Sequence, residues 1–250
     1  MGGIKTGRLA ASALLAVSIG AAAPGGAQPA GTPSADSLAR LAALEAELDQ
    51  LEREIERVED AKAIRRLQRA YGYYADKKLS AEIGALFARD ATAEIGLSGV
   101  YVGRERITEF YRRLIGEELA EGELFNHMIL QGAVHVADDG RTAKGRWRAL
   151  IQIGQHGESA VWAEGPYENE YVKEDGVWKI SKLHWYQTVS APYDPGWHKA
   201  PQPMSGPLED FPPDRPPTEV YGSYPEVHQP PFHYRNPVSG RCEPGVCDAR

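Results

Sequence analysis

Apolar and polar positions along the chain change their spacing several times, and each change marks an element. Leu41, Leu44, Leu48, Leu51, Ile55 and Val58 recur at alternating steps of three and four, with Glu and Arg on the other faces. That is a heptad seam of under three repeats, short for an independent coiled coil. It predicts either an oligomerisation surface or one amphipathic helix lying on its own domain. No Gly or Pro separates the seam from the next segment, so the helix is expected to continue through Ile64, Leu67, Tyr71 and Tyr74 to Asp76. A second helical stretch covers Leu79 to Phe87, and an alternating apolar run follows from Thr92 to Val102. Gly103 and Arg104 open a third helix over Ile107 to Leu119, with Ile107, Phe110, Tyr111 and Leu114 on one face.

After that helix the period becomes two. Four strands are predicted: Asn126–Val136, Thr142–Gly154, Ser159–Lys173 and Trp178–Thr188. Asp138-Asp139-Gly140 and Glu174-Asp175-Gly176 separate them as hairpin turns. Helices followed by a long antiparallel meander define an α+β domain over residues 61–190, preceded by a linker and heptad helix over 28–60. Beyond Ser190 the texture changes, because fourteen of the eighteen prolines lie between Pro192 and Pro244. Trp197, Phe211, Tyr221, Tyr224, Phe232, His233 and Tyr234 are interleaved with them. Solvated tails are poor in aromatics, so residues 191–250 are expected to wrap their own domain or a neighbour.

The first residues read as a targeting segment. Lys5 and Arg8 precede a small and apolar run from Leu9 to Ala23, and Gly25 and Ala27 suit a cut before Gln28, with Ala21 and Ala23 marking an alternative site. The run is shorter than the roughly 20 residues that span a bilayer. A cleaved signal peptide over 1–27, with a periplasmic or secreted product free of the membrane, is therefore the expectation. Cys242 and Cys247, with Pro244 and Gly245 between them, suit a small disulfide loop in an oxidising compartment. They make a weak metal signal, since no further ligands stand nearby. A net charge of −7 without a Lys/Arg cluster excludes the basic face that nucleic acid or an anionic membrane demands.

Two segments carry a resemblance. One is Tyr167-Glu-Asn-Glu-Tyr171 with Asp175-Gly-Val-Trp-Lys179-Ile-Ser-Lys-Leu183; the other is Tyr74-Ala-Asp76-Lys-Lys78 with Leu86-Phe87-Ala88-Arg89-Asp90 downstream. Together they resemble the SnoaL-like branch of the nuclear transport factor 2-like superfamily over roughly residues 60–190. Hexachlorocyclohexane dehydrochlorinases and, more distantly, scytalone dehydratases are the cofactor-free lyases it is similar to. The resemblance implies a cone, a curved antiparallel sheet closed by helices around a pocket. It implies a dimer or trimer, and no metal or organic cofactor. It also implies a dyad of Asp76, ending the first helix, and His127, on the first meander strand. In such a dyad a neutral imidazole takes a proton while a carboxylate on its other nitrogen steadies it.

The chain departs from those families. The dehydratase's second histidine falls near Glu164, the dehydrochlorinase's lysine at Tyr71 and its late arginine near Leu183, so neither substrate carries over. Glu164 shares a strand face with Trp162, where an indole would raise its pKa and make it a general acid; the alternative is a surface carboxylate. Arg146 and Arg148 share the face opposite Trp147 and would serve a phenolate or alkoxide if they point inward, or be solvated charges if outward. The expected catalytic set is Asp76, His127 and Glu164, with Tyr71, Tyr73, Tyr74, Arg148, Trp162, Tyr167 and Trp185 around a small aromatic substrate. The function these imply is a cofactor-independent lyase for a hydroxylated aromatic compound. The γ-formaldehyde lyases of lignin-derived diaryl dimers resemble the chain in class. The alternative is a non-catalytic ligand-binding or oligomerisation module of the same fold.

Overall fold

A computed structural model describes residues 34–247. The signal-peptide expectation over 1–27 and most of the following linker lie outside the described residues. The chain divides into two units, Met1–Glu47 and Leu48–Arg250. Of the first, the structure describes the leading turns of helix α1 (Ala35–Asp76), opened by Ser34, whose Oγ accepts from the amide of Ser37 at 3.1 Å. Everything below concerns the second unit.

There α1 shows two kinds of surface. Leu48, Leu51, Ile55 and Val58 are 47–62% exposed, so this part of the seam has no cover among the described residues. From Ile64 one stripe is buried through Gln68, Tyr71, Gly72 and Ala75, the four-and-three spacing of a helix lying on a sheet. Asp60 ties the helix down, accepting from Trp178 Nε1 and Lys173 Nζ, each at 2.8 Å. A short helix α2 (Ser80–Ala85) leads into β1 (Phe87–Ile95), β2 (Val100–Val102) and α3 (Arg104–Ile115). The meander is β3 (Glu123–Val136), β4 (Thr142–Gln155), β5 (Ser159–Glu174) and β6 (Val177–Trp185), with a short β7 (Val189–Pro192) added to β5.

The sheet order is β2-β1-β6-β5-β4-β3. All neighbours are antiparallel except β1 and β6, which run parallel, so the sheet is mixed rather than purely antiparallel. Asp175 and Gly176, with φ of 51° and 77°, form the tight β5–β6 hairpin expected of an Asp-Gly pair. Other boundaries move for local reasons. The run Thr92–Val102 is two strands, because Gly96 and Gly99 take positive φ and fold it back. Phe87 pairs with Ile180 and so belongs to β1, which shortens α2. Gly116, with φ of 93°, stops α3 before Leu119. Register shifts in β3, between Leu130 and Ala133, and in β6, where Ser181 is the extra residue opposite Glu170 and Tyr171, bend the sheet. At the first of these a Cβ on Gly132 would stand 2.1 Å from the Trp147 ring, so only glycine fits.

Alternation along the strands then sorts the side chains. Trp147, Ala149, Ile151, Tyr167 and Tyr171 face the helices and form the core with Tyr71, Phe87, Phe110 and Tyr111. The outer face carries charge, and the tail runs along the β2–α3 edge and over this face. Phe211 stacks on Tyr101 at 5.5 Å, Asp214 pairs with Arg106 at 2.8 Å, and Thr218 donates twice to Glu94 at 2.8 Å. Arg146 lies 4.1 Å over the Phe232 ring. The tail thus lies on its own domain, and Cys242 and Cys247 are joined by a disulfide. The result is the α+β cone, with its interior between the bent sheet, α1 and α3.

Candidate active site

Parity decides which side chains reach the interior. His127 pairs with Ile151, and Ile151 with Ala163, so these three point inward from β3, β4 and β5. Tyr167 and Trp185, themselves a cross-strand pair, join them from deeper in the sheet. Tyr71 and Ala75 come from the buried stripe of α1, and Tyr111 and Leu114 from α3. Together they line a cavity of about 280 Å³ whose rim includes Ile153, 42% exposed, and Ser205 of the tail. The small side chains Ala75 and Ala163 leave the space.

A chain of polar groups crosses this apolar interior. Tyr111 and Tyr71 share a hydrogen bond at 2.9 Å, Tyr71 and Tyr167 one at 3.1 Å, and Tyr167 meets His127 Nε2 at 3.0 Å. Burial depresses the His127 pKa from 6.5 to about 4, so the imidazole is neutral at pH 7. Burial also raises the phenols of Tyr71, Tyr111 and Tyr167, the last two strongly. The four groups are therefore an uncharged array of hydroxyls ending on a free-base imidazole. Each satisfies the next, which is what permits their burial.

Of the residues singled out in the sequence, the structure brings Tyr71, His127, Tyr167 and Trp185 together on this cavity. Asp76 is adjacent, but its Oδ1 accepts from the main-chain amide of His127 at 2.5 Å. The expected carboxylate–imidazole bond is thus replaced by one that fixes the strand, and the ring's partner is a tyrosine. Tyr73 is 72% exposed, and Tyr74 supports the core without lining the cavity. Glu164, Arg148 and Trp162 lie on the opposite face. Ala163 is the inward residue, so both of its neighbours must point out, and there Glu164 forms an ion pair with Arg148. Arg146 also points outward and pairs with Glu168. Glu164 is therefore not placed to act as the acid in this cavity.

Tyr111 and Gln187 are among the cavity residues that the sequence reading did not single out. Tyr111 sits on the apolar stripe of α3 and reads there as core. Gln187 falls at the end of the expected strand Trp178–Thr188, but β6 stops at Trp185 and leaves it in the connection to β7. Among the described residues no group of three or more His, Cys, Asp or Glu is arranged to hold a metal ion.

A bent sheet closed by helices over a mainly apolar cavity defines the nuclear transport factor 2-like class. Within it, this chain belongs to the SnoaL-like domain family, whose model matches residues 56–184, just over half its length. Solved structures agree in fold. A protein assigned as a scytalone dehydratase from Novosphingobium aromaticivorans DSM 12444 superposes with a TM-score of 0.50 at 20% identity, over 62% of this chain and 97% of the other. LinA gives 0.51 at 19% identity, over 57% and 95%. The hexachlorocyclohexane dehydrochlorinase LinA-type3 of Novosphingobium barchaimii LL02 gives 0.50 at 20%, over 56% and 94%. No protein of curated function matches the chain significantly in sequence.

Proposed function

We propose that the protein is a cofactor-independent lyase acting on a small hydroxylated aromatic compound, with His127 as base and the tyrosine chain as acid. The observation that carries this reading is the continuous array Tyr111–Tyr71–Tyr167–His127 inside an apolar cavity. Elimination takes a proton from one atom of a substrate and returns one to the departing group on another. A neutral imidazole is competent for the first step, and a phenol can deliver the second if it is reprotonated along the chain from the imidazolium as it does so. Because hydroxyls connect the two ends, the proton taken at His127 can be matched by one given up along the chain. No net charge then has to persist in a medium that solvates charge poorly. Asp76 acts through the backbone, holding His127 at its place on β3.

The cavity is about twice the roughly 150 Å³ known to hold one benzene. It suits one substituted ring, with a second ring of a diaryl substrate extending through the mouth at Ile153. The specific reaction we put forward is γ-formaldehyde elimination from a lignin-type diaryl dimer. His127 takes the primary hydroxyl proton, the carbon–carbon bond breaks to release formaldehyde, and its electrons form the alkene. The benzylic hydroxyl leaves as water with a proton from a tyrosine. The test is turnover on hydroxylated aromatics, including such dimers, with formaldehyde and alkene detection. Loss of product in a folded His127→Ala variant supports the reading, and full turnover in His127→Ala overturns it.

One observation favours the alternative of a binding module: the hydroxyl chain is already satisfied without a ligand. Tight ligand binding with no product on any substrate would decide for it. The proposal includes export after loss of residues 1–27, checked by the N-terminus of the mature protein. It also includes a homodimer or homotrimer meeting at the exposed α1 seam, checked by the mass in solution of a chain lacking residues 28–60.

A further inference from the structure

Five buried side-chain nitrogens lack a partner among the described residues, and Gln187 Nε2 is the one that belongs to a wall of the cavity. Gln187 is 6% exposed. Apart from Ser205 on the rim, the other polar side chains of the lining are committed. The tyrosines and His127 bond to one another, and Trp185 Nε1 donates to the Gly165 carbonyl at 3.1 Å. Ser190 Oγ meets Gln202 at 3.1 Å. A buried amide without a partner costs more than a hydrogen bond returns, so a protein that keeps one in the wall of a cavity has a use for it.

The placement of Gln187 is also enforced. Its main-chain amide donates to Tyr221 Oη at 3.0 Å. The next carbonyl, Thr188, accepts from the Tyr224 amide at 2.7 Å, and the Ser190 carbonyl accepts from the Gln202 amide at 2.7 Å. Three tail residues thus hold the connection between β6 and β7 against the cavity. No sheet ladder extends over Gln187 itself.

We propose that Gln187 is the residue that recognises a ring hydroxyl of the substrate, and that the tail positions it for this. A carboxamide offers a donor and an acceptor side by side, and a hydroxyl is both at once. An ether or a carbonyl would use the donor alone. The role is one of binding and specificity. It rests on the cavity being the substrate site, but it is read by equilibrium binding and so fails separately from the lyase chemistry.

The experiment is isothermal titration of the full chain with p-cresol and with p-xylene, which differ by a hydroxyl for a methyl. The wild type is expected to prefer p-cresol by about tenfold. Gln187→Met keeps the length of the side chain and removes both polar atoms. It is expected to bring the ratio within about twofold while leaving p-xylene binding unchanged, with Tm equal to or above wild type. Tyr221→Phe is expected to reduce the preference by a smaller factor. A Gln187→Met variant with the wild-type preference overturns the proposal, as does a wild type that binds neither probe or does not discriminate. A lower Tm in Gln187→Met overturns it too, because the amide would then have had a partner within the fold. Preference retained with no turnover on any substrate would sink the lyase reading and leave this assignment standing.

Discussion

His127 and His184 are both buried imidazoles on the same sheet, and they have opposite surroundings. His127 faces inward, bonds a tyrosine and borders open space. His184 faces outward beneath the tail, its ring stacked on Tyr186 at 3.8 Å and its Nδ1 3.6 Å from Glu94. Burial drives both below their ordinary value, to about 4 and about 3. A depressed pKa therefore does not single out a reactive group. What separates the two is room: one ring ends on a volume that a small molecule can enter, while the other lies under stacked rings and a chain segment.

The contrast can be broken in several ways. The largest effect is expected in turnover. His127→Ala should lower kcat/KM by about 10²–10⁴, whereas His184→Ala should leave the folded fraction within about threefold of wild type. Equal losses in steady-state assays would erase the distinction. Next comes acid sensitivity, which the two should share. Each imidazole is neutral in the folded chain at pH values where the unfolded chain takes a proton, so the unfolded state binds more protons between pH 6.5 and the folded values. Stability should be complete above about pH 6.5 and fall as pH drops through that window, by up to about 1.4 kcal/mol per pH unit for each ring. Urea melts from pH 7.5 to 4.5 check this, and replacing either histidine with Gln should remove roughly half of the slope.

Smaller effects sharpen the division between faces. Glu94→Ala strands the amide and hydroxyl of Thr218 and should cost about 2 kcal/mol of stability in the same melts, without changing ligand affinity in the cavity. Tyr71→Phe interrupts the hydroxyl chain in its middle and should lower turnover by about tenfold, about 1.4 kcal/mol, with the fold kept. The least effect is expected for Arg148→Ala and Glu164→Ala. This outer pair is partly exposed, with the Arg148 side chain 46% accessible, and should contribute under about 1 kcal/mol and nothing to turnover. A collapse of activity in Glu164→Ala would return that carboxylate to the chemistry.

Much of the scaffold was legible because periodicity and turn chemistry report on backbone. The strands of the meander fall within a few residues of their expected limits, and the Asp-Gly hairpin lies where its dipeptide predicts. The first strand escaped, since Gly96 and Gly99 fold back a run that reads as continuous. The site was legible in part. Tyr71, His127 and Tyr167 could be picked out, but the parity of β5 could not. A hydrophobic pattern assigns the larger apolar residue to the interior, and here Trp162 points out while Ala163 points in. Cavities invert the usual rule, because space is left where side chains are small. Nor could spacing show that Asp76 reaches a backbone amide instead of a ring, since one strand position serves both.

The parallel pairing of β1 with β6 has a consequence for the order of events during synthesis. Phe87 emerges about ninety residues before Ile180, its partner on β6. Until then the early strand has one open edge and an apolar face, the features that invite intermolecular pairing. Closure across so long an interval is entropically slow. A nascent chain stalled before the final hairpin is therefore expected to depend on holding chaperones, while the finished polypeptide can close its sheet in one event.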